Sequence, residues 1–593
     1  MKTIILIFWS ISAIYLPHRL VAQDAVVVSP DGDDRNDGTL GKPFKTLERA
    51  RQTIRRSSIR MVYLRVGVYQ RKEPFILTEE DSGSTWKIYP SDPVNSAILD
   101  GSGLDDILLI LGGSHITVEG LTIRNYSSRG IGVHGGKGWK NAKPHFHEDY
   151  PTAAHNVIRN NIVENGNVPS PGWDRAAINT QGTTPNSHIL HNVVRNTTGY
   201  GIGVWALQEG DDISGTLVSG NAVLNTCTRA KDGAAIYICD RTAASKAIMV
   251  ENNFVRDYGD YEHELRAVYL DDWASNTTVC GNILTGKGTQ PVLIHGGSNN
   301  VVTGNIIDVG NSGKPCVLNY AAHRNRPMLN NWFTGNVILS SYPEDRSGGA
   351  YRKFGDITNP EVKNNLYYNY STGVVNTGGQ YYLIKDTHPL TANPQIAGWD
   401  YQVADSSAIY KQPTAFQPLK RKWGPPGYLL PEAGTAPSCL LLGDNALYLH
   451  AESCDTLSGV SKNGIAAIVA DAENVDQFSN IHLGNGFDAF PAMAVSACDD
   501  GDWVGFRQVA IHHPGKTFTV RLASASGANG TITLRIDEPN GKVAATLKIK
   551  PTGSYTEYEE QAATVDLKPG IYDLYMVFQG GKAIGNFDYF KIH

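Results

Sequence analysis

Asparagine and apolar residues repeat through the middle of the chain with a period of about thirty residues. From residue 161 onward an asparagine precedes two apolar residues eight times, at intervals of 31, 29, 32, 29, 23, 31 and 29 residues. The repeated residues are Asn161, Asn192, Asn221, Asn253, Asn282, Asn305, Asn336 and Asn365. Short β-rich runs without helical periodicity lie between them. This self-similarity is typical of a solenoid, and we predict a right-handed parallel β-helix with one repeat per coil.

The turns and the ends of this solenoid can also be predicted. Because asparagine tolerates left-handed backbone, we expect each repeated asparagine to adopt it at a turn and to stack its amide coil over coil. A helix that would plug the first coil is predicted over 43–54, where four apolar residues share one face: Phe44, Leu47, Ala50 and Ile54. The repeats fade after Asn365, and the Pro- and Ala-rich stretch 390–435 is predicted to hold the second cap and a linker.

The pattern changes again from about residue 440, where strands follow at regular spacing with glycine and asparagine turns. Residues 518–522 and 531–536 alternate between apolar and polar, as half-buried antiparallel strands do. We therefore predict an all-β chain, a parallel β-helix followed by a β-sandwich of jelly-roll type. The predicted divisions are a signal peptide over 1–22, the β-helix over 24–435 and the sandwich over 446–593.

Composition and the first residues indicate where the protein works. Of the 593 residues, 52 are Lys or Arg and 58 are Asp or Glu, and no long basic run occurs, which argues against a nucleic-acid partner. A lysine, an apolar run over 4–16 and the small or apolar residues 20–22 resemble a cleavable secretory signal. We expect a secreted or periplasmic monomer without a membrane span. The seven cysteines include no C-x-x-C pair, so zinc-finger and redox motifs are excluded.

Candidate chemistry emerges when the strands that follow the asparagines are aligned. If the first and third positions of each strand point inward, the fourth positions form an outward column. That column is predicted to contain His134, Trp205, Cys239, Asp271, His295 and Asn319. Asp240 and Asp272 share the fifth column, and Tyr237 and Tyr269 stack in the second.

The columns place three carboxylates, an imidazole and aromatic rings on one strip. Coils lie about 4.8 Å apart, so crowding should raise the pKa of one carboxyl and leave a proton donor beside a base. Glycoside hydrolysis needs that pair together with aromatic faces for the sugar. For any single aspartate a turn-capping role is the better explanation, but the group with His295 and Trp205 favours function.

The order of these residues resembles polygalacturonase-type β-helix glycosidases, which have a lone Asp, then an Asp-Asp pair, then a His in successive coils. The resemblance implies that Asp271 is the general acid, that Asp240 and Asp272 activate water, and that His295 supports the site. The outward columns, apart from this resemblance, predict substrate contacts along the strip at His134, Trp205, Tyr237, Tyr269 and Asn319. Here the pair follows its strand, and the later basic motif of that family is absent.

A second likeness concerns other secreted β-helix glycosidases. Residues 28–44 and 393–396 look more like xylosidase and fucosidase types, some of which retain configuration. Inverting and retaining mechanisms therefore both stay open.

Five short motifs are spread over residues 446–593, at 451–452, 501–506, 520–524, 552–555 and 586–590. In these motifs and their order the region resembles family-6 carbohydrate-binding modules. The resemblance implies structural calcium held by Glu452 and Asp588, and a sugar cleft with Asn586 and with Tyr555 in place of the usual tryptophan. The second aromatic residue of the cleft would be Phe478, Phe487 or Phe490.

Three further features admit two explanations each. The acidic stretch 31–38 superficially resembles a calcium loop, but a turn is favoured. The insertion 145–149 could contact substrate or be solvent-exposed. Trp139, Trp173 and Trp273 could support sugars, although loop packing is slightly favoured.

Together these patterns predict an exported glycoside hydrolase that acts on a complex polysaccharide or oligosaccharide and needs no cofactor for catalysis. Two alternatives stay open, a polysaccharide lyase on the same fold and a non-catalytic carbohydrate-binding surface protein. A lyase needs a cation or metal beside its base. Arg175, Arg229, Arg241 and Arg266 lie near strand edges, but no Lys/Arg pair occupies the outward columns.

Overall fold

The computed structural model is built almost entirely of β-strands, in agreement with the predicted fold class. It describes residues 24–140, 145–167, 175–259, 264–286, 290–309, 318–323, 328–340, 351–354, 357–358, 361–370, 378–379, 382–397, 400–411, 422–428, 430, 439–442, 446–450, 456–458, 461–464, 493–496, 498–511, 515–525, 529–555, 557–568, 570–582 and 584–592. Within these ranges no helix has the length and hydropathy that crossing a membrane requires.

Parallel strands stack into three ladders that run the length of the solenoid, and the strands are numbered in chain order. The first ladder contains β1 Ala25–Val28, β2 Met61–Leu64, β5 Thr85–Ile88, β7 Thr117–Glu119, β9 Val157–Arg159, β12 His188–Leu190, β15 Leu217–Ser219, β18 Ile248–Glu251, β21 Thr277–Cys280, β24 Val301–Thr303, β28 Trp332–Thr334 and β32 Glu361–Lys363. The long strands β6 Ala97–Leu111 and β8 Thr122–Gly135 belong to both other ladders, because each pairs over its two halves with different strands.

The second and third ladders form the other faces of the solenoid. The second adds β3 Gly67–Gln70, β10 Ile162–Gly166, β13 Val193–Thr197, β16 Ala222–Leu224, β19 Phe254–Tyr258, β22 Ile283–Gly286, β25 Ile306–Asp308, β29 Val337–Ser340, β33 Leu366–Asn369 and β36 Leu390–Thr391. The third adds β4 Phe75–Thr78, β11 Ala176–Gly182, β14 Tyr200–Ala206, β17 Asp232–Asp240, β20 Glu264–Asp271, β23 Val292–His295, β26 Leu318–Ala321 and β30 Tyr351–Phe354. Short pairs join β27 Met328–Leu329 to β31 Ile357–Thr358, β34 Gly378–Gly379 to β35 Tyr382–Lys385, and β37 Ile396–Ala397 to β38 Gln402–Val403. Single 3₁₀ turns span Glu79–Asp81 and Ala408–Lys411.

The core of the solenoid consists of identical positions stacked from coil to coil. Val218, Val250, Val279 and Val302 pair in register along the first ladder, and all four are fully buried. Each strand thus contributes alternate residues to one continuous core, which is why the apolar pattern predicts the coils.

The repeated asparagines form a buried hydrogen-bond ladder, as predicted. Asn253, for example, donates from its backbone N and from Nδ2 to Oδ1 of Asn282, at 2.9 Å in both cases. The ladder ends on Asp386, whose Oδ2 accepts from the backbone N and from Nδ2 of Asn365 at 3.0 and 2.8 Å. Each buried amide of the ladder has a hydrogen-bond partner in the next coil. The ladder therefore offsets the free-energy cost of burying these amides.

The expectation that these asparagines adopt left-handed backbone is wrong. That conformation belongs to the residue before each of them, with φ between 52° and 67° in every coil. These residues are Asn160, His191, Gly220, Asn252, Gly281, Gly304, Gly335 and Asn364. Two adjacent residues therefore share the turn: the first adopts the left-handed backbone, and the second, the asparagine, forms the hydrogen bonds of the ladder.

The predicted N-terminal helix is present as α1, Leu47–Arg55. It begins after Thr46, whose hydroxyl accepts from the backbone N of Arg49 at 3.2 Å. Its apolar face and Phe44 belong to the same buried cluster as the first coils, as expected for a residue set that closes the solenoid end.

The described residues of the stretch predicted to hold the second cap and a linker lie along the side of the solenoid. We call residues 390–397, 400–411, 422–428 and 430 the return segment. Tyr401 donates from its hydroxyl to Asp308 at 2.7 Å, and the ring of Trp423 lies 5.0 Å from that of Phe254. Successive parts of the segment thus contact successively earlier coils. The return segment covers apolar residues on the outer face of the second ladder. The alternation of residues along each strand does not predict this packing.

The C-terminal sandwich consists of two antiparallel sheets. One contains β39 Cys439–Leu442, β40 Ala446–His450, β42 Ser461–Gly464, β43 Met493–Ser496, β45 Gly515–Ala523, β48 Glu559–Leu567 and β50 Asn586–Ile592. The other contains β41 Thr456–Ser458, β44 Trp503–Ile511, β46 Thr531–Ile536, β47 Lys542–Lys548 and β49 Gly570–Gln579. Phe518, Val520 and Leu522 join its core, as their alternation predicts.

Candidate functional site

The third ladder aligns the predicted column, with two corrections. Trp205 pairs with Cys239, and Cys239 pairs with Asp271, as expected. One further strand, β11, inserts Gln181 between His134 and Trp205.

The predicted place of Asn319 is wrong. Asn319 pairs with Leu293, and Ala321 pairs with His295, so Asn319 falls in the second column. The side chain of Asn319 lies outside the described residues. A slip of two residues keeps the inward and outward alternation, and the apolar pattern therefore does not detect it.

Much of the column is buried rather than open to a substrate. His134 is fully buried, because the insertion 145–150 folds over it and the ring of Phe146 stacks on the imidazole at 4.8 Å. Trp205 is 1% exposed and packs in a buried cluster with Tyr200. Neither ring presents a face to a sugar, so the predicted substrate contacts at His134 and Trp205 are not supported by their placement.

Asp240 faces its own turn and not the strip. It is fully buried, and its Oδ2 accepts the backbone N of Ser245 at 3.0 Å while Oδ1 accepts the backbone N of Thr242 at 3.1 Å. These contacts match the turn-capping role of aspartate. The expectation that Asp240 activates water is not supported by this geometry.

Asp271 ends β20 with both carboxylate oxygens hydrogen-bonded. Tyr237 donates from its hydroxyl to Oδ2, and Nδ1 of His295 lies 2.6 Å from Oδ1. Burial raises the pKa of Asp271, but the hydrogen bonds from His295 and Tyr237 outweigh it and hold the pKa below its usual value. These contacts favour the ionised carboxylate of Asp271, which is the opposite of the general-acid role that the family resemblance implies.

The tyrosines of the second column support this carboxylate. Burial and the neighbouring charge of Asp271 raise the pKa of Tyr237 well above its usual value, so its phenol stays a donor. Tyr269 is 5% exposed, and its ring contacts that of Tyr237 edge to face at 4.9 Å. Tyr237 is partly exposed and stacks on Tyr200 at 5.2 Å.

Asp272 follows in left-handed backbone, with φ of 43°, and its two oxygens turn to different partners. Nε of Arg241 lies 2.6 Å from Oδ2, and Nε2 of His323 lies 3.2 Å from Oδ1. The rings of His295 and His323 meet edge to face at 4.2 Å. We call Asp271, Asp272, His295 and His323 the carboxylate–histidine cluster.

The cluster is accessible at its histidine side. The side chains of His295 and His323 are 23% and 18% exposed, against 11% and 12% for Asp271 and Asp272. A ligand can therefore approach the imidazoles while the carboxylates stay largely desolvated, which strengthens their electrostatic interactions.

Sequence reasoning missed His323 and left Arg241 outside the site. His323 comes two residues after Ala321, the true partner of His295, so the correct register would have placed it near the column. Arg241 directly follows Asp240 at the end of β17, one coil before Asp272. The signal for His323 depended on register that only the ladder provides, whereas Arg241 lies in register that the sequence already predicts.

The remaining solenoid candidates are mostly explained by packing. In the stretch 31–38, Oδ1 of Asp34 accepts the backbone N of Lys45 and of Thr46 at 2.9 Å, so the turn explanation holds. Trp273 lies beside the cluster and donates from Nε1 to the carbonyl of His323 at 3.2 Å. Trp139 lies below the guanidinium of Arg241 at 6.0 Å.

Two sugar-binding candidates of the sandwich lie side by side. Nδ2 of Asn586 donates to the carbonyl of Tyr555 at 2.9 Å, and Tyr555 is 37% exposed. Several predicted residues lie outside the described part of the chain: residues 1–22, Trp173, Glu452, Phe478, Phe487, Phe490 and the side chain of Asp588. Calcium binding by Glu452 and Asp588 stays a prediction.

Comparison with known proteins identifies the C-terminal region. Residues 471–593 match the model of the family described as carbohydrate binding module (family 6), which confirms that part of the sequence prediction. Solved structures similar to this chain include a β-1,3-glucan binding module of this family from Bacillus halodurans, at 24% identity. That match covers 25% of this chain and 94% of the other, with a TM-score of 0.20.

Two curated relatives match a short part of the chain. An arabinoxylan arabinofuranohydrolase of Paenibacillus polymyxa is 30% identical over 89 residues, which is 15% of this chain and 14% of that protein. An arabinoxylan arabinofuranohydrolase of Bacillus subtilis is 29% identical over 100 residues, which is 16% of this chain and 19% of that protein. The chain thus spans less than a fifth of the length of either relative.

Proposed function

We propose that this protein is an exported glycoside hydrolase that cleaves O-glycosidic bonds of a complex polysaccharide or oligosaccharide at the carboxylate–histidine cluster. The observation that carries the proposal is the convergence of two largely desolvated carboxylates and two accessible imidazoles at the edge of one ladder. Glycoside hydrolysis needs an ionised carboxylate and a proton donor within reach of one bond.

Asp271 acts as the ionised group in this proposal. Its two oxygens accept from Tyr237 and His295, a geometry that favours the carboxylate over the acid. It serves as base or nucleophile, which replaces the role of general acid that the family resemblance implies. The proton for the leaving oxygen comes from the other side of the cluster, where Asp272, His295 and His323 meet.

The rest of the chain supports action on a polymer. A family-6 carbohydrate-binding module occupies the C-terminal region, and the matched relatives are named as arabinoxylan arabinofuranohydrolases. A module that binds the same polymer would raise the effective concentration of substrate at the solenoid. Residues 1–22 have the pattern of an export signal, so we place the protein in the periplasm or outside the cell.

An activity screen of the chain from residue 24 onward and of Asp271→Asn tests the proposal. Arabinoxylan and other plant, algal and host glycans are incubated with each protein, and reducing ends and the ultraviolet absorbance of an unsaturated product are followed together. We expect reducing ends without that absorbance, and a loss of at least about a hundredfold in Asp271→Asn. Glu209→Gln, at an exposed position of the solenoid, is the matched control and should keep full activity.

One observation favours a polysaccharide lyase as the second candidate. Arg241 is 41% exposed beside Asp272, so a guanidinium is present that could neutralise a uronate. A lyase would release the absorbing product, and Arg241→Ala would abolish it. Absence of any cleavage across the panel would instead favour a non-catalytic carbohydrate-binding protein.

A further inference from the structure

Three side chains of the cluster bring metal-ligating atoms to one point. Asp272, His295 and His323 each offer one ligand atom, and these atoms lie within 4.8 Å of one another. Oδ1 of Asp272 and Nε2 of His323 are 3.2 Å apart. Zinc bonds of about 2.0–2.2 Å to nitrogen and oxygen place neighbouring ligands about 3 Å apart, so the spacing fits a bound ion.

Neighbouring groups orient these ligand atoms toward the common point. Oδ1 of Asp271 engages Nδ1 of His295 at 2.6 Å, which leaves Nε2 as the free ring nitrogen of His295. Nε of Arg241 engages Oδ2 of Asp272 at 2.6 Å and leaves Oδ1 on the side of His323. A carboxylate behind a ligating histidine is a recurrent support of metal sites, because it fixes the tautomer and the ring orientation.

We propose that Asp272, His295 and His323 bind one divalent transition-metal ion, for which Zn²⁺ is the representative. Two imidazoles and one carboxylate suit zinc, cobalt or nickel, whereas calcium and magnesium prefer oxygen ligands alone. Binding follows from the geometry of the three side chains, and a part in catalysis rests on the proposed function. If the ion takes part in catalysis, its three protein ligands would leave one position for water, and that water, its pKa lowered by the ion, would replace the imidazoles as the proton donor beside the carboxylate of Asp271.

Metal titration of the full exported chain, purified without a histidine tag and stripped with chelator, tests this proposal. Calorimetry with ZnCl₂ should show one ion bound per chain, and CoCl₂ should give the visible absorption of a site with nitrogen ligands. We expect His323→Ala and Asp272→Asn to weaken binding by more than about a hundredfold, and Asp271→Asn by about 10–100-fold. His388→Ala, at an exposed histidine away from the cluster, is the control and should bind as the parent protein does.

A second readout needs no variant and guards against misfolding of the substituted chains. Zinc should protect His295 from modification by diethyl pyrocarbonate, while His388 should react at the same rate with and without the ion. Stoichiometric binding that persists in His323→Ala and in Asp272→Asn, or equal labelling of His295 with and without zinc, overturns the proposal and leaves a simple ion pair of His323 with Asp272.

The outcomes separate this inference from the proposed hydrolase. Glycan cleavage by a chain that binds no zinc would overturn the metal site alone. Zinc binding by a chain that cleaves no glycan would overturn the hydrolase alone.

Discussion

At the scale of single residues, the partners of an aspartate decide what that aspartate does. Asp240 ends β17, and Asp272 directly follows the neighbouring strand β20. Backbone amides of a turn surround Asp240, whereas Arg241 and His323 flank Asp272. Asp271 is hydrogen-bonded to the phenol of Tyr237 and to the imidazole of His295. One residue type thus serves as a turn cap, a candidate ligand and a candidate catalytic carboxylate within two coils.

Asp92 gives a test of this dependence on partners that is independent of the cluster. Nε of Arg65 lies 2.7 Å from its Oδ2, and the backbone N of Val66 lies 2.8 Å from the same oxygen. The hydrogen bond from Arg65 lowers the pKa of Asp92 despite partial burial. Because the pKa of Asp92 is lower in the folded chain than in the unfolded chain, where it is near 3.9, ionisation of Asp92 stabilises the fold at pH values above about 3.9. This stabilisation is lost as the pH falls through the pKa of the folded chain.

We expect Asp92→Asn to lower the free energy of unfolding by about 1–3 kcal/mol at pH 7 and by much less at pH 3. Urea denaturation at the two pH values measures the difference. Asp405→Asn, at an exposed carboxyl, should change neither value. An equal loss at both pH values would show that the charge of Asp92 is not responsible.

At the scale of the elements, each coil depends on two adjacent turn positions. The ladder asparagine donates hydrogen bonds to the asparagine of the next coil, and the residue before it adopts the left-handed backbone. Glycine, asparagine and histidine all occupy that preceding position in different coils. The position therefore selects for backbone conformation and not for a side-chain contact.

Substitution of Gly304 tests this division of roles. Its φ is +64°, and an added Cβ would meet nothing closer than the backbone N of Gly281 at 4.0 Å. Gly304→Ala should therefore cost about 1 kcal/mol through backbone strain alone, and Gly304→Asn should cost less. Thermal unfolding measures both, with Gly41→Ala as the control at an open position of ordinary backbone. Equal melting temperatures for all three variants would contradict the strain argument.

At the scale of the whole molecule, the return segment ties distant coils together. Trp423 is 7% exposed against Phe254, and the backbone N of Gly424 donates to the carbonyl of Gly220 at 3.0 Å. Residues that follow the last solenoid strand thus complete the surface of coils formed much earlier in the chain. A repeat protein otherwise relies on contacts between adjacent repeats alone.

We expect Trp423→Ala to destabilise the solenoid by about 3–5 kcal/mol, because it removes a large buried side chain. Trp332→Ala is the matched control, since Trp332 is 45% exposed, and it should cost less than about 1 kcal/mol. Denaturation gives the magnitudes, and hydrogen exchange should rise in β16 and β19 for Trp423→Ala only. Similar losses for both variants would mean that the return segment adds no stability of its own.

The amino-acid pattern was enough to predict the solenoid, the asparagine ladder, the first helix and the sandwich. Each of these elements forms either from residues close in sequence or from successive copies of one repeat that pair with each other. The spacing of residues along the chain is therefore sufficient to predict them. The family-6 module was equally predictable, because its motifs span most of the C-terminal region.

Tertiary structure alone decided which candidate residues share an open site. The insertion 145–150 buries His134, and the neighbouring rings bury Trp205, although both hold their predicted places in the column. His323 reaches the cluster from the coil that follows β23, where a two-residue slip of register leaves the apolar alternation unchanged. Burial and the register between coils depend on the loops and on the length of each coil, which the alternation of apolar and polar residues does not predict. Burial and register together determine which residues form the carboxylate–histidine cluster.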